Sequence, residues 1–164
     1  MGWLTGYKKR IQITVDSTYI DSSLSHFPIP IWLGASVGQS DDNNTDVFAE
    51  VGSNWQGIAV TEGDGTTQLY VEKEFWDHNN QYALIWAGRD THTLSSSSDT
   101  TLYLYFDNNR TNSYVHSVGY AGDVWDSDFQ GVYHLDSSND TIEDSTSNSN
   151  NLTRSGPEQT SGQI

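Results

Sequence analysis

Two glutamates stand two apart in this chain, Glu72 and Glu74, inside the apolar-rich run Val71-Glu72-Lys73-Glu74-Phe75-Trp76. On an extended strand, residues i and i+2 share one face, which places the two carboxylates roughly 7 Å apart. Paired carboxylates at such spacing can serve as general acid and nucleophile or base in glycoside hydrolysis. The same spacing also arises on any strand with a solvated face. Lys73 stands between the pair, where a laminarinase-type series would carry a longer Glu-x-Asp-x-x-Glu pattern, so the reading without catalysis is preferred.

Asp42, Asn44 and Asp46 have the spacing of the first three ligands of a calcium loop and offer hard oxygens at alternating positions. Val47 occupies the place of the turn-forming glycine, and Ser53 the place of the bidentate acid, which excludes a complete EF-hand. An irregular loop site is the remaining metal possibility there, against a polar hairpin tip. Asp123, Asp126 and Asp128 form a second oxygen-rich group. No cofactor is expected apart from this candidate calcium. His26, His78, His92, His116 and His134 show no zinc-ligand spacing, and cysteine is absent. No serine lies in a Gly-x-Ser-x-Gly elbow. Asn43, Asn109, Asn139 and Asn151 open formal glycosylation sequons, which Asn-rich turns also generate by chance.

The elements that must position these groups are strands. Ile11, Ile13 and Val15 alternate with polar residues, as do Phe27, Ile29, Ile31 and Leu33. Pro28 and Pro30 put both missing donors along one side of the second run and mark it as an edge strand. Further strands are expected over 47–51, 57–61, 68–76, 82–87 and 101–106, separated by Gly-, Asn-, Asp- and Ser-rich turns. No convincing helix is visible. The pattern predicts an all-β fold, an antiparallel β-sandwich or jelly roll with a short C-terminal extension. With Leu69, Val71 and Phe75 inward, Tyr70 and Trp76 would face outward, as would Trp32, Tyr103 and Tyr105. Such rings could stack on sugars or anchor an interface.

Composition bounds the partners. With 22 acidic against 7 basic residues the net charge is −15, which repels phosphate backbones and anionic lipid headgroups. Nucleic acid is therefore not expected as a partner. No apolar stretch approaches the roughly 20 residues needed to span a bilayer, so membrane insertion is not expected, and Met1-Gly2-Trp3 does not open a signal peptide.

Trp3 through Val15, Asp64-Gly65-Thr66-Thr67, Val71 through Asp77, Leu94-Ser95-Ser96 and Asp99 through Phe106 occur in consistent order. Over residues 3–108 they resemble domain of unknown function family 2341. Val124 through Phe129, Gly131 through Leu135, and Asp144-Ser145-Thr146 are similar to the opening of a laminin-G or concanavalin-A-like domain. This second resemblance implies a jelly roll and, in many members, glycan binding.

The organisation expected is a sandwich over 1–122, followed over 123–164 by a linker and an incomplete second domain of a longer parent. Three functions are in view. The first is a non-enzymatic structural or anchoring module of a surface assembly, on a virion or a cell surface, with other protein subunits as oligomeric partners. The second is an extracellular glycan-binding module, and the third a fragment of a glycoside hydrolase. The absence of a leader ahead of the first strand favours delivery by phage or archaeal-virus assembly over export.

Overall fold

The computed structural model describes residues 2–120, 123–135 and 140–156. Its framework is a curled, largely antiparallel sheet. Strands β1 (Lys9–Val15), β3 (Ile29–Leu33), β4 (Ile58–Glu62), β5 (Gln68–Asp77), β6 (Tyr82–Gly88) and β8 (Thr100–Phe106) lie in the order β1-β8-β4-β5-β6-β3. Short strands β2 (Leu24–Ser25) and β7 (Thr93–Leu94) pair with each other, and so do β10 (Thr141–Ile142) and β11 (Leu152–Thr153). Strand β9 (Val115–Ser117) runs parallel to β5.

The long strand β5 makes the sandwich. Its first residues, Gln68 and Leu69, pair with β4, and the rest pairs with β6. Where β4 departs, β9 takes its place beside Val71, Glu72 and Lys73. The sheet thus turns over on itself, and Ile29, Ile31, Leu33, Ile58, Val60, Leu69, Val71, Ile85, Leu102 and Leu104 meet in one core with Ile11, Ile13 and Val15 packed against it. As expected, β3 is an edge strand with Pro30 inside it.

The turns are built from local side-chain bonds. Between β4 and β5 the Asp64 carboxylate accepts from the Thr67 hydroxyl at 2.6 Å and from the Thr66 and Thr67 N–H groups at 2.8 and 2.9 Å. Those donors hold its carboxyl down at about 2. Gly65 follows at φ +78°, and a Cβ there would run into the Gly2 carbonyl oxygen, so both conformation and space require glycine. Between β5 and β6 the Asp77 carboxylate accepts from the N–H groups of Asn79 and Asn80.

One expected strand is a helix. Residues 47–51 lie within α1 (Asp46–Val51), which buries Val47, Phe48 and Val51 and ends at Gly52. The spacing i, i+1, i+4 places these three side chains on one helical face, whereas a strand would divide them between two.

Candidate functional site

A bulge in β5 governs the outer face of the β5-β6-β3 sheet. Glu72 pairs with Trp86 and Lys73 with Ile85, but Phe75, not Glu74, pairs with Leu84. Glu74 is the extra residue, and the inside-outside alternation changes phase there. Phe75 therefore comes out, 38% exposed, and Trp76 turns in, packing on Phe48 at 5.0 Å between ring centroids and donating its indole N–H to the Gly52 carbonyl. This reverses the expected orientation of both rings.

The bulge leaves Glu72 and Glu74 on the same outer face, as their spacing predicts, but they do not stand open to a substrate. His134, which arrives from the C-terminal segment, lies between them. Its Nε2 is 2.6 Å from Glu72 Oε1 and its Nδ1 is 3.1 Å from Glu74 Oε2. The Trp125 indole N–H donates to Glu72 at 3.3 Å, and that of Trp86 donates to Glu74 at 2.5 Å. Side-chain exposure is 2% for Glu72 and 6% for His134. Each ring nitrogen of His134 thus faces a carboxylate oxygen. The arrangement is a buried, charge-assisted clasp.

The clasp fixes the segment 123–135 to the sandwich. Trp125 packs on Trp86 and Phe129, each at 5.2 Å. Val124 lies so close to β6 that a Cβ on Gly88 would stand 2.5 Å from its carbonyl oxygen, so only glycine admits the segment there. His26 Nε2 lies 3.0 Å from the Asp123 carbonyl oxygen, and the Asp123 side chain bonds the Tyr70 hydroxyl, the main cause of that phenol's raised titration. Further along, Asp144 is 2% exposed and accepts from the N–H groups of Val132, Thr146 and Asn150, tying the β10-β11 region to residue 132. The expected junction at 122–123 thus opens onto a segment packed against the sandwich. The sequon at Asn139 and the residues after Gly156 lie outside the described residues.

Beside the clasp, His116 stacks face to face on Tyr120 at 3.5 Å. Burial, outweighing the opposing influence of Asp123, lowers its titration below the usual imidazole value of 6.5. The folded chain therefore favours the neutral ring, and below pH 6.5 the unfolded chain takes up this proton first. Stability is expected to fall as the pH drops through the window beneath 6.5. In urea titrations at a series of pH values, His116→Gln should flatten that slope relative to wild type; an unchanged slope would contradict the assignment.

The other predicted rings divide by environment. Trp32 is 41% exposed on β3, as expected. Tyr70 lies on the outer face beside Tyr114, at 4.9 Å. Tyr103 and Tyr105 do point away from the main core but are buried, because residues 2–7 fold back over them. The Arg10 guanidinium lies 3.9 Å over the Tyr103 ring, and Tyr105 donates its hydroxyl to the Gly65 carbonyl. Neither ring can meet a ligand from solution. Sequence periodicity predicts which side of a strand a residue takes; it does not reveal that a distant segment covers that side.

In the candidate calcium loop, the Asn44 side-chain amide oxygen, Oδ1, accepts from the Gly34 N–H at 2.7 Å, and Asp46 begins α1. Asp42 exchanges both backbone hydrogen bonds with Val37. Of the second acidic group, Asp126 accepts from the Asp128 N–H, and Asp123 is turned to Tyr70. Among the described residues no three His, Asp or Glu side chains converge as a metal site, and no helix is long and apolar enough to cross a membrane.

No protein-family model, curated protein or solved structure matches the chain.

Proposed function

We propose that this chain is a non-enzymatic anchoring module of a surface assembly, a component of a virion or of a cell-surface protein, which mounts its C-terminal segment rigidly on a β-sandwich. The observation that supports it is the clasp. Glu72 and Glu74, the paired carboxylates that chemistry would need, are both turned onto His134 and onto indole donors. A hydrolase would need one carboxyl to protonate a leaving group and the other to face the sugar. Here an imidazole fills the space between them, so catalysis would require His134 to leave. The resemblances to family 2341 and to the laminin-G opening fit the same reading, with protein subunits as partners.

Two measurements test it. Wild type and Glu74→Gln protein should be equally inactive on a panel of polysaccharides, and gold-labelled antibody against the chain should decorate intact particles or cells of the source. Turnover lost in Glu74→Gln, or labelling confined to the cell interior, would overturn the proposal.

A further inference from the structure

The outer face of the β5-β6-β3 sheet is covered over only part of its extent. The C-terminal segment lies on Trp86 through Trp125 and His134. One row further along the sheet, Trp32, Leu84 and Phe75 are direct cross-strand neighbours. Trp32 lies 5.4 Å from Tyr82 with the ring planes 33° apart, and Phe75 lies 5.9 Å from Tyr82 at 59°. The three rings form one contiguous shelf, with Leu84, 7% exposed, as its floor. Trp32 remains 41% and Phe75 38% exposed.

We infer that the Trp32, Tyr82 and Phe75 shelf is a binding site for a neutral glycan, its rings stacking on the C–H faces of two or three sugar residues. Three properties select this ligand. Rings of this kind bury roughly 150–250 Å² each when fully covered, so the bare fraction amounts to on the order of 200 Å². A stable protein interface takes about 800 Å² from each partner, far more than this shelf offers. A short oligosaccharide fits an area of that size.

The net charge of −15 opposes uronate-rich or sulfated polymers, which leaves uncharged sugars as the complementary class. The turn leading into Tyr82 carries Asn79 and Gln81, both exposed amides able to bond sugar hydroxyls. The bulge at Glu74 keeps Phe75 outward: with Glu74 paired in regular alternation, Phe75 would face the core. This site goes beyond the anchoring role and does not depend on it.

The test uses the whole chain against cellulose, β-1,3-glucan, xylan, galactomannan and chitin, by depletion with the insoluble polymers and titration with their soluble oligosaccharides. Binding to at least one is expected. In wild type, the Trp32 indole N–H resonance should shift on titration while that of Trp55 stays still. Trp32→Ala and Phe75→Ala should each weaken binding at least about tenfold, as loss of a central aromatic contact does, and Trp32→Phe should restore most of it.

Absence of binding across the panel would overturn the inference, as would binding in which the Trp32 resonance does not move. An oligomeric mass that falls in Trp32→Ala, with glycan binding unchanged, would also overturn it and make the shelf a protein interface. The wild-type titration decides the matter even if a variant fails to fold.

Discussion

His134→Ala is expected to lower the melting temperature by on the order of 10 °C and to expose the C-terminal segment to proteases. The substitution removes the partner of Glu72, whose side chain is 2% exposed, and leaves the Trp125 indole at 3.3 Å as its remaining side-chain donor. Breaking a buried pair from one side costs about 3–5 kcal/mol, because the other charge stays desolvated. In a domain of this size each kcal/mol shifts the melting temperature by about 2–4 °C.

Removing the charges together should cost much less. A Glu72→Met, His134→Leu double variant is expected to regain most of the loss, since apolar replacement of a buried pair is often near neutral. Thermal melts and limited proteolysis of the variants check this. If the single variant melts within about 2 °C of wild type and resists cleavage within 123–135, the clasp does not hold the segment.

Deletion of Glu74 is expected to keep the facing of β5 and to cost stability through the clasp. It removes the bulge and makes Lys73 and Phe75 consecutive opposite Ile85 and Leu84, so that Phe75 stays outward and Trp76 stays on Phe48 and the Gly52 carbonyl. What is lost is the carboxylate that meets the Trp86 indole and His134 Nδ1. Leaving such donors without a partner costs about 1–3 kcal/mol. The deleted protein is expected to keep its near-ultraviolet circular dichroism and the dispersion of its proton spectrum and to melt several degrees below wild type. Glu74→Ala keeps the extra residue and should lose a similar amount. A deletion variant without near-ultraviolet circular dichroism would mean that the extra residue is itself needed for the packing.

The bulge at Glu74 marks where periodicity stops predicting the fold. Along β1, β3, β6 and β8 each residue follows the last by simple alternation, so Ile11, Ile13, Ile29, Ile31, Ile85 and Leu104 identify the inner face unaided. On β5 one inserted residue cancels that regularity. Glu74 in the sequence is indistinguishable from any other strand residue, and nothing local announces that two successive residues, Glu74 and Phe75, will share a face. The helix at Asp46–Val51 was legible in principle from the grouping of Val47, Phe48 and Val51, although β-branched valines speak for a strand.

His134 belongs to a different kind of blindness. It stands 62 positions from Glu72, and its surroundings in sequence, Val132-Tyr133-His134-Leu135, look like any short apolar run. The one local hint is a titratable ring within such a run, because a buried imidazole needs a partner. Which partner it meets depends on where the segment docks.

The sequence alone determined the long strands, most of their inward faces, the edge role of the proline-bearing strand and the polar turns, because these follow from short-range periodicity and from side-chain bonds a few residues long. Only the tertiary structure decided that Glu72 and Glu74 close on His134, that Tyr103 and Tyr105 lie under the N-terminal segment, and that Trp32 shares an open shelf with Tyr82 and Phe75. Each of these depends on contacts between segments far apart in the chain or on a one-residue shift of register, and neither leaves a periodic trace in the amino-acid sequence.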